Sequence, residues 1–570
     1  MLARPMGRRT FTGLLTVAVA ALVPDVLAQA GYKTFENKLK GVTFVYPTTH
    51  AELPLPPTEA LVVAKYVMKA QPEEMKRIDE RLFQAQTPFL EVFRFSLPTT
   101  KTGGAVPTPA GGRPDAGKPD AGKQDAGKSD AAPASGAAPL EMTWEQFVAG
   151  IRSYTITEDE KKPGHYELRP RRGGGGGAGG ARGRGGAEPI GYLVRRVEGN
   201  TVLGVAGFSF DVGEKTLVSQ VTRMAASLKL LADDAGDRAE ADLDKLYASG
   251  KYKAVEWRKQ ARAKMAAGWK ALDTENYLIV HHSTNQGLIR RIARDIEAMR
   301  AFYGEQFPPP KPIDAVAVVR VCRTLDEYHD YGGPRGTGGY WHPGNEELVF
   351  FDYSYTMQQM DSREKRALGG QRLTDDDSLL VLYHEALHQY MHYAVGQFAP
   401  HDWFNEGYGD YFSGAVVGES TGRVVRVDPS PWRIHVAKDM LEFGDGYLSL
   451  KDVLHADRAT FYNPQRAGNY YAAAWSFVFF LKHDKAALAH PQWSKLLATY
   501  YETVKAVYAA ESKGVGEDDR GGREVASFKA RKAALAKTLE GVDLVALEAA
   551  WKKYVVGMRD PWPTLRKKRR

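Results

Sequence analysis

The stretch Val381-Leu382-Tyr383-His384-Glu385-Ala386-Leu387-His388-Gln389-Tyr390 decides how this chain is read. It contains His-Glu-x-x-His, with His384, Glu385 and His388. On an α-helix, side chains four residues apart share a face, about 5–6 Å between Cβ atoms. Two imidazoles so placed can bind one zinc ion at about 2.0–2.1 Å each. Glu385 is one position on, too far round the helix to join that row. It can still reach a water beside the metal and take its proton. The flanks predict the helix that this spacing needs. Thr374 and Asp377 form a Thr-x-x-Asp capping pattern. Leu379, Leu380, Tyr383, Leu387, Tyr390, Met391 and Ala394 recur at helical spacing, and Gly396 is the expected stop.

Downstream runs His401-Asp402-Trp403-Phe404-Asn405-Glu406-Gly407-Tyr408-Gly409-Asp410-Tyr411-Phe412. With the His-Glu-x-x-His run, this segment resembles the gluzincin metallopeptidases. In that group a Glu on a second helix, often in an Asn-Glu pair, completes the zinc site. The resemblance implies Glu406 as third ligand and Asp410, one helical turn later, as the carboxylate that supports His384. A ligating imidazole needs its other N–H held, commonly by a carboxylate. One Zn²⁺ per chain is the implied cofactor, and two His with one Glu also suit other divalent ions. Seventeen residues separate His388 from Glu406, a slightly shorter connection than that group's. Rival ligands fit less well. Met391 and Ala394 stand where a metzincin carries Gly and His. His392 continues the histidine row past the metal, and His401 lies in a Pro-flanked loop.

The same resemblance implies a tyrosine that steadies the oxyanion from the start of an apolar helix. Tyr471, 65 positions after Glu406, opens such a run, with Tyr470 as the alternative donor. Before the motif, residues 338–351 read as a hairpin turning at Pro343-Gly344-Asn345. In gluzincins an edge strand above the metal pairs with an extended substrate, which makes Gly339 and Tyr340 candidate substrate-binding residues. Strand addition binds through main-chain hydrogen bonds. No Gly-x-Met-x-Asn run of the aminopeptidases is present. Over about residues 275–500 the pattern is similar to the peptidase-MA-like domains of uncharacterised bacterial secreted proteins.

The chain has 570 residues, enough for two or three domains. Its net charge of +8 is confined to the ends. Residues 1–30 carry +2 and the last five residues +5, which leaves +1 for the 535 between them. That distribution excludes a basic nucleic-acid-binding domain. The expected partner is a peptide or protein substrate. The start, with Arg8-Arg9-Thr10-Phe11, an apolar stretch to about Val23 and Ala28-Gln29-Ala30, reads as an export signal, with a twin-arginine character. It is too short to favour a membrane span, and no later segment reaches that length. An exported protein, periplasmic or extracellular and not integral to a membrane after signal cleavage, is expected. Cys322 is the only cysteine, so no intramolecular disulfide can form.

The expected fold class is α+β. Residues 31–232 read as an accessory α+β domain, and Phe44-Val45-Tyr46-Pro47 resembles small envelope domains of the PsbP type. Low-complexity inserts occupy 101–140, with repeats such as Pro119-Asp120-Ala121-Gly122-Lys123, and 171–187, rich in Gly. Residues 233–272 read as a helical connector. The gluzincin-like domain follows at 273–500, a small twisted sheet packed on a zinc-binding helical region. A helical C-terminal part at 501–558 and a basic tail at 559–570 complete the chain. The function expected from this reading is zinc-dependent peptide-bond hydrolysis in the cell envelope or outside it. The alternative is a non-catalytic envelope scaffold with a structural zinc.

Overall fold

A computed structural model of the protein describes residues 31–69, 89–98, 140–151, 154–170, 190–209, 214–231, 233–367, 372–516 and 519–561. The expected leader at 1–30, nearly all of both inserts and most of the basic tail lie outside the described residues. The fold is α+β, as its alternating and helical patterns predict. The chain divides into two compact units. One comprises residues 1–249 and 259–267, the other 250–258 and 268–570. The first boundary thus falls near Ser249 rather than 232. The expected connector at 233–272 is not one helix but two, α3 (Asp233–Tyr247) and α4 (Val255–Ala263), followed by strand β11 (Lys270–Asp273). Gly250, at φ +65°, breaks the helical path between α3 and α4. The expected separate part at 501–558 belongs to the second unit.

The first unit is built on an antiparallel sheet. Its strands are β3 (His50–Leu53), β4 (Val62–Met68), β5 (Phe89–Ser96), β6 (Tyr154–Glu158), β7 (His165–Pro170), β8 (Ile190–Glu198) and β9 (Thr201–Ser209), in the order β3-β4-β5-β9-β8-β7-β6. A second small sheet holds β1 (Tyr32–Asn37), β2 (Val42–Pro47) and β10 (Lys229–Leu230). Strand alternation serves both faces of the larger sheet. Val92, Leu203 and Val205 pack with Phe44, Leu217, Val221 and Met224, the last three on α2 (Glu214–Ser227). Phe93, Phe95, Leu193 and Phe208 pack on the other side with Trp144 and Phe147 of α1 (Trp144–Gly150).

The second unit carries the motif. Its sheet has the order β11-β12-β13-β15-β14, with β12 (Tyr277–His281), β13 (Ala317–Cys322), β14 (Gly339–His342) and β15 (Glu347–Phe351). β12, β13 and β15 run parallel, and β11 and β14 are antiparallel edge strands. The central strands are buried throughout and mostly apolar, and the two charges they enclose, Arg320 on β13 and Glu347 on β15, pair with each other at 2.5 Å. α5 (Gln286–Gln306) and the motif helix α6 (Asp375–Ala394) pack beside each other, and α6 also meets β14 and β15. α7 (Asp402–Ser413) lies between α6 and α10 (Ala467–His483). Between these two in sequence come α8 (Ile434–Phe443) and the short α9 (Arg458–Phe461). α11 (Leu496–Glu511), α12 (Arg520–Thr538) and α13 (Leu544–Gly557) follow.

α10 is apolar all round because it is buried all round, Ala472 to Leu481 being enclosed. Trp475 at its centre is fully buried, and burial of one such large side chain contributes roughly 1.5–3 kcal/mol. Among the described residues no helix is long and apolar enough to cross a membrane. Cys322 is a free, buried thiol on β13.

Candidate metal centre

The helix that bears the motif starts and stops where its sequence asks. Asp377 accepts hydrogen bonds from the Thr374 backbone N–H at 2.8 Å and hydroxyl at 3.0 Å. Beyond its last turn Gly396 adopts φ +101°, a conformation that favours glycine. Between these ends α6 is enclosed on several sides, so its polar residues must find partners within the fold.

α6 presents His384 and His388 to Glu406 on α7. Glu406 Oε2 lies 3.0 Å from His384 Nε2 and 3.4 Å from His388 Nε2. The three potential donor atoms all fall within 4.8 Å of one another. The two imidazole rings are 4.7 Å apart and nearly perpendicular, and both Nε2 atoms face the same Glu406 oxygen. Burial opposes ionisation of Glu406, but His388 and His384 overcome it and hold its pKa well below the ordinary value. Burial likewise opposes protonation of His384, and Asp410 and Glu406 overcome it, so that its pKa stands well above the usual imidazole value. Electrostatically, this is a buried pocket of two imidazoles and a carboxylate that favours a cation at its centre. Two nitrogens and one oxygen are a donor set that suits zinc. The group His384, His388 and Glu406 can therefore hold a metal ion.

Support of the ligands is uneven. Asp410, 1% exposed, places Oδ1 3.3 Å from His384 Nδ1. Its Oδ2 accepts from Arg433 Nε at 2.5 Å. His388 Nδ1 and Asp410 Oδ1 are each buried without a hydrogen-bond partner among the described residues. Tyr462 donates to Glu406 Oε1 at 2.5 Å and lies 3.1 Å from Asp402 Oδ1. Arg458 in turn donates to that Asp402 oxygen at 3.0 Å. His401 and His392 stand apart from the cluster. His401 Nδ1 pairs with the Tyr500 hydroxyl at 3.0 Å, and burial holds both imidazoles down at about 4.

Glu385, next to His384 on α6, lies between the histidines and β14. Burial, only partly offset by His388, His384 and the Trp341 backbone N–H, raises its pKa. A raised pKa suits a carboxylate that must accept and return a proton. Gly339 is buried on β14, and a Cβ there would come within 2.5 Å of Val381 Cγ1 on α6. Its lack of a side chain lets the strand lie close to the motif helix. Tyr340 is half-buried, its ring 5.8 Å from that of Tyr328.

The two candidate tyrosines have different surroundings. Tyr471 lies at the centre, its ring 6.4 Å from that of His384 and under the Arg433 guanidinium at 4.8 Å. Tyr470 is buried against Phe461, 5.4 Å between ring centres, and the Arg466 guanidinium lies 5.9 Å from its ring.

Arg433, Tyr462 and Gly409 also belong to this centre, and sequence reasoning passed over all three. For Gly409 a signal was available. A glycine inside a helix costs about 1 kcal/mol relative to alanine, so it marks a close approach. A Cβ at Gly409 would lie 2.6–2.8 Å from three atoms of the His384 ring. Gly409→Ala should therefore displace that imidazole and weaken zinc binding by roughly 10–100-fold, the range seen when a ligand's support is lost. Competition with a chromophoric chelator measures this, and wild-type affinity in the variant would contradict it. Arg433 and Tyr462 gave no such signal, since each reaches the centre from a loop or short helix far along the chain.

A family model described as "Protein of unknown function (DUF1570)" matches residues 379–492. No curated protein matches the chain. The matched segment contains His384, Glu385, His388, Glu406, Asp410, Arg433, Tyr462 and Tyr471, so this chain is similar, over the helices that build the centre, to a family with no assigned activity.

Proposed function

We propose that this protein is an exported zinc-dependent peptidase of the gluzincin type. The observation that carries the reading is the meeting of His384, His388 and Glu406 within 4.8 Å, beside a half-buried Glu385 that stands outside that group. A zinc ion held by those three side chains supplies Lewis acidity, polarising a carbonyl and acidifying water. Glu385 would take the water proton as the water oxygen bonds to the carbonyl carbon, and deliver it to the departing amine nitrogen as the C–N bond breaks. The Trp341 amide keeps that carboxylate in place. Tyr471 donates a hydrogen bond to the developing oxyanion, a contribution commonly worth a few kcal/mol. Asp410, itself anchored by Arg433, fixes the orientation of His384. β14 offers its free edge, including Gly339 and Tyr340, to an extended peptide.

The export signal at 1–30 and the absence of a basic domain support a peptide or protein substrate in the envelope or beyond it. Purified protein should contain one zinc per chain by elemental mass spectrometry. Its peptide hydrolysis should vanish on chelation and return with zinc. Zinc at that stoichiometry with no hydrolysis of any peptide would favour the scaffold alternative.

A further inference from the structure

The third ligand has a support of its own. Glu406 has two carboxylate oxygens, and they face different neighbours. Oε2 faces both imidazoles, while Oε1 accepts from Tyr462 at 2.5 Å. Tyr462 Oη also lies 3.1 Å from Asp402 Oδ1. A phenol has one hydrogen. The shorter contact assigns it to Glu406, which leaves the Asp402 oxygen facing an oxygen without a proton between them. Arg458 relieves that contact, donating to the same Asp402 oxygen at 3.0 Å while its guanidinium lies 4.6 Å from the centre of the Tyr462 ring. Asp402 opens α7, the helix that carries Glu406, and Tyr462 directly follows α9, which begins with Arg458. The link thus ties the second ligand helix to the segment that leads into α10.

We infer that Tyr462, held by the Arg458 guanidinium over its ring, is the positioning residue for Glu406. It occupies one carboxylate oxygen and so presents the other, alone, to the metal. It does for Glu406 what Asp410 and Arg433 do for His384. Ligands whose outer atoms are held bind metal more tightly because less ordering is needed on binding. The inference rests on the metal-binding part of the proposed function and not on peptide hydrolysis.

The test is direct metal binding by the full chain, with zinc measured by chelator competition and Co²⁺ as the spectroscopic probe. Tyr462→Phe should weaken zinc binding by roughly 10–100-fold. With Oε1 released, its Co²⁺ visible spectrum should also shift toward the weaker absorption of a higher coordination number. Unfolding of the chelated variant should match chelated wild type, separating positioning from folding. Equal zinc affinity and an unchanged Co²⁺ spectrum in Tyr462→Phe would overturn the assignment while leaving the metal centre standing. Failure of wild type itself to bind zinc would overturn the metal reading and this inference together.

Discussion

Glu385→Gln should keep its zinc and lose about 10²–10⁴-fold in peptide hydrolysis, the usual contribution of a positioned general base. The substitution preserves the volume of the side chain and an acceptor oxygen for the Trp341 amide, so the local fold has no reason to move. What it removes is a group that can accept a proton. Glu385 donates no ligand to the His384, His388 and Glu406 cluster, and metal content should match wild type. Loss of zinc together with activity would mean that Glu385 holds the centre instead of acting in it. Turnover at the wild-type rate would remove it from the reaction altogether.

Asp410→Ala should damage both stability and metal binding. Asp410 is enclosed, with Arg433 Nε on one oxygen at 2.5 Å and His384 Nδ1 3.3 Å from the other. Removing one partner of a buried ion pair leaves the other charge uncompensated and typically costs about 3–5 kcal/mol. Arg433 would be that charge, still packed over the Tyr471 ring. Chemical denaturation of the chelated variant should show a loss of this order, and chelator competition should show zinc affinity lowered roughly 10–100-fold. Burial opposes ionisation of Asp410, yet Arg433 and His384 hold its pKa below the ordinary 3.8. The Asp410 contribution is therefore complete above that value and is lost only as pH falls below it. An Asp410→Ala protein as stable as wild type at pH 7 would show that the pair does not anchor α7.

Much of this centre could be read along the chain because it depends on helical spacing. The capped run from Thr374 to Gly396 placed two histidines on one face, and the structure brings them together with Glu406. The hairpin at 338–351 was legible from its turn at Pro343-Gly344-Asn345, and its edge position follows from the sheet order. The structure also sets Asp410 against His384, where one turn of helix from Glu406 would carry it. Other features depend on tertiary approach. Arg433 precedes α8 and Tyr462 follows a four-residue helix, and nothing local marks either as a neighbour of the metal centre. The stretch 233–272 misled because its Ala, Lys and Glu content suits one long helix. Yet Ala254 at φ +50° and Gly250 at φ +65° divide it, and its last segment is recruited as an edge strand.

The most direct test of the peptidase assignment is a single incubation. Zinc-loaded protein, beside its chelated form and Glu385→Gln, would be mixed with a diverse peptide library and the fragments identified by mass spectrometry. New termini produced by the zinc-loaded wild type alone are the expected result. An intact library in every arm, with zinc bound at one per chain, would contradict it.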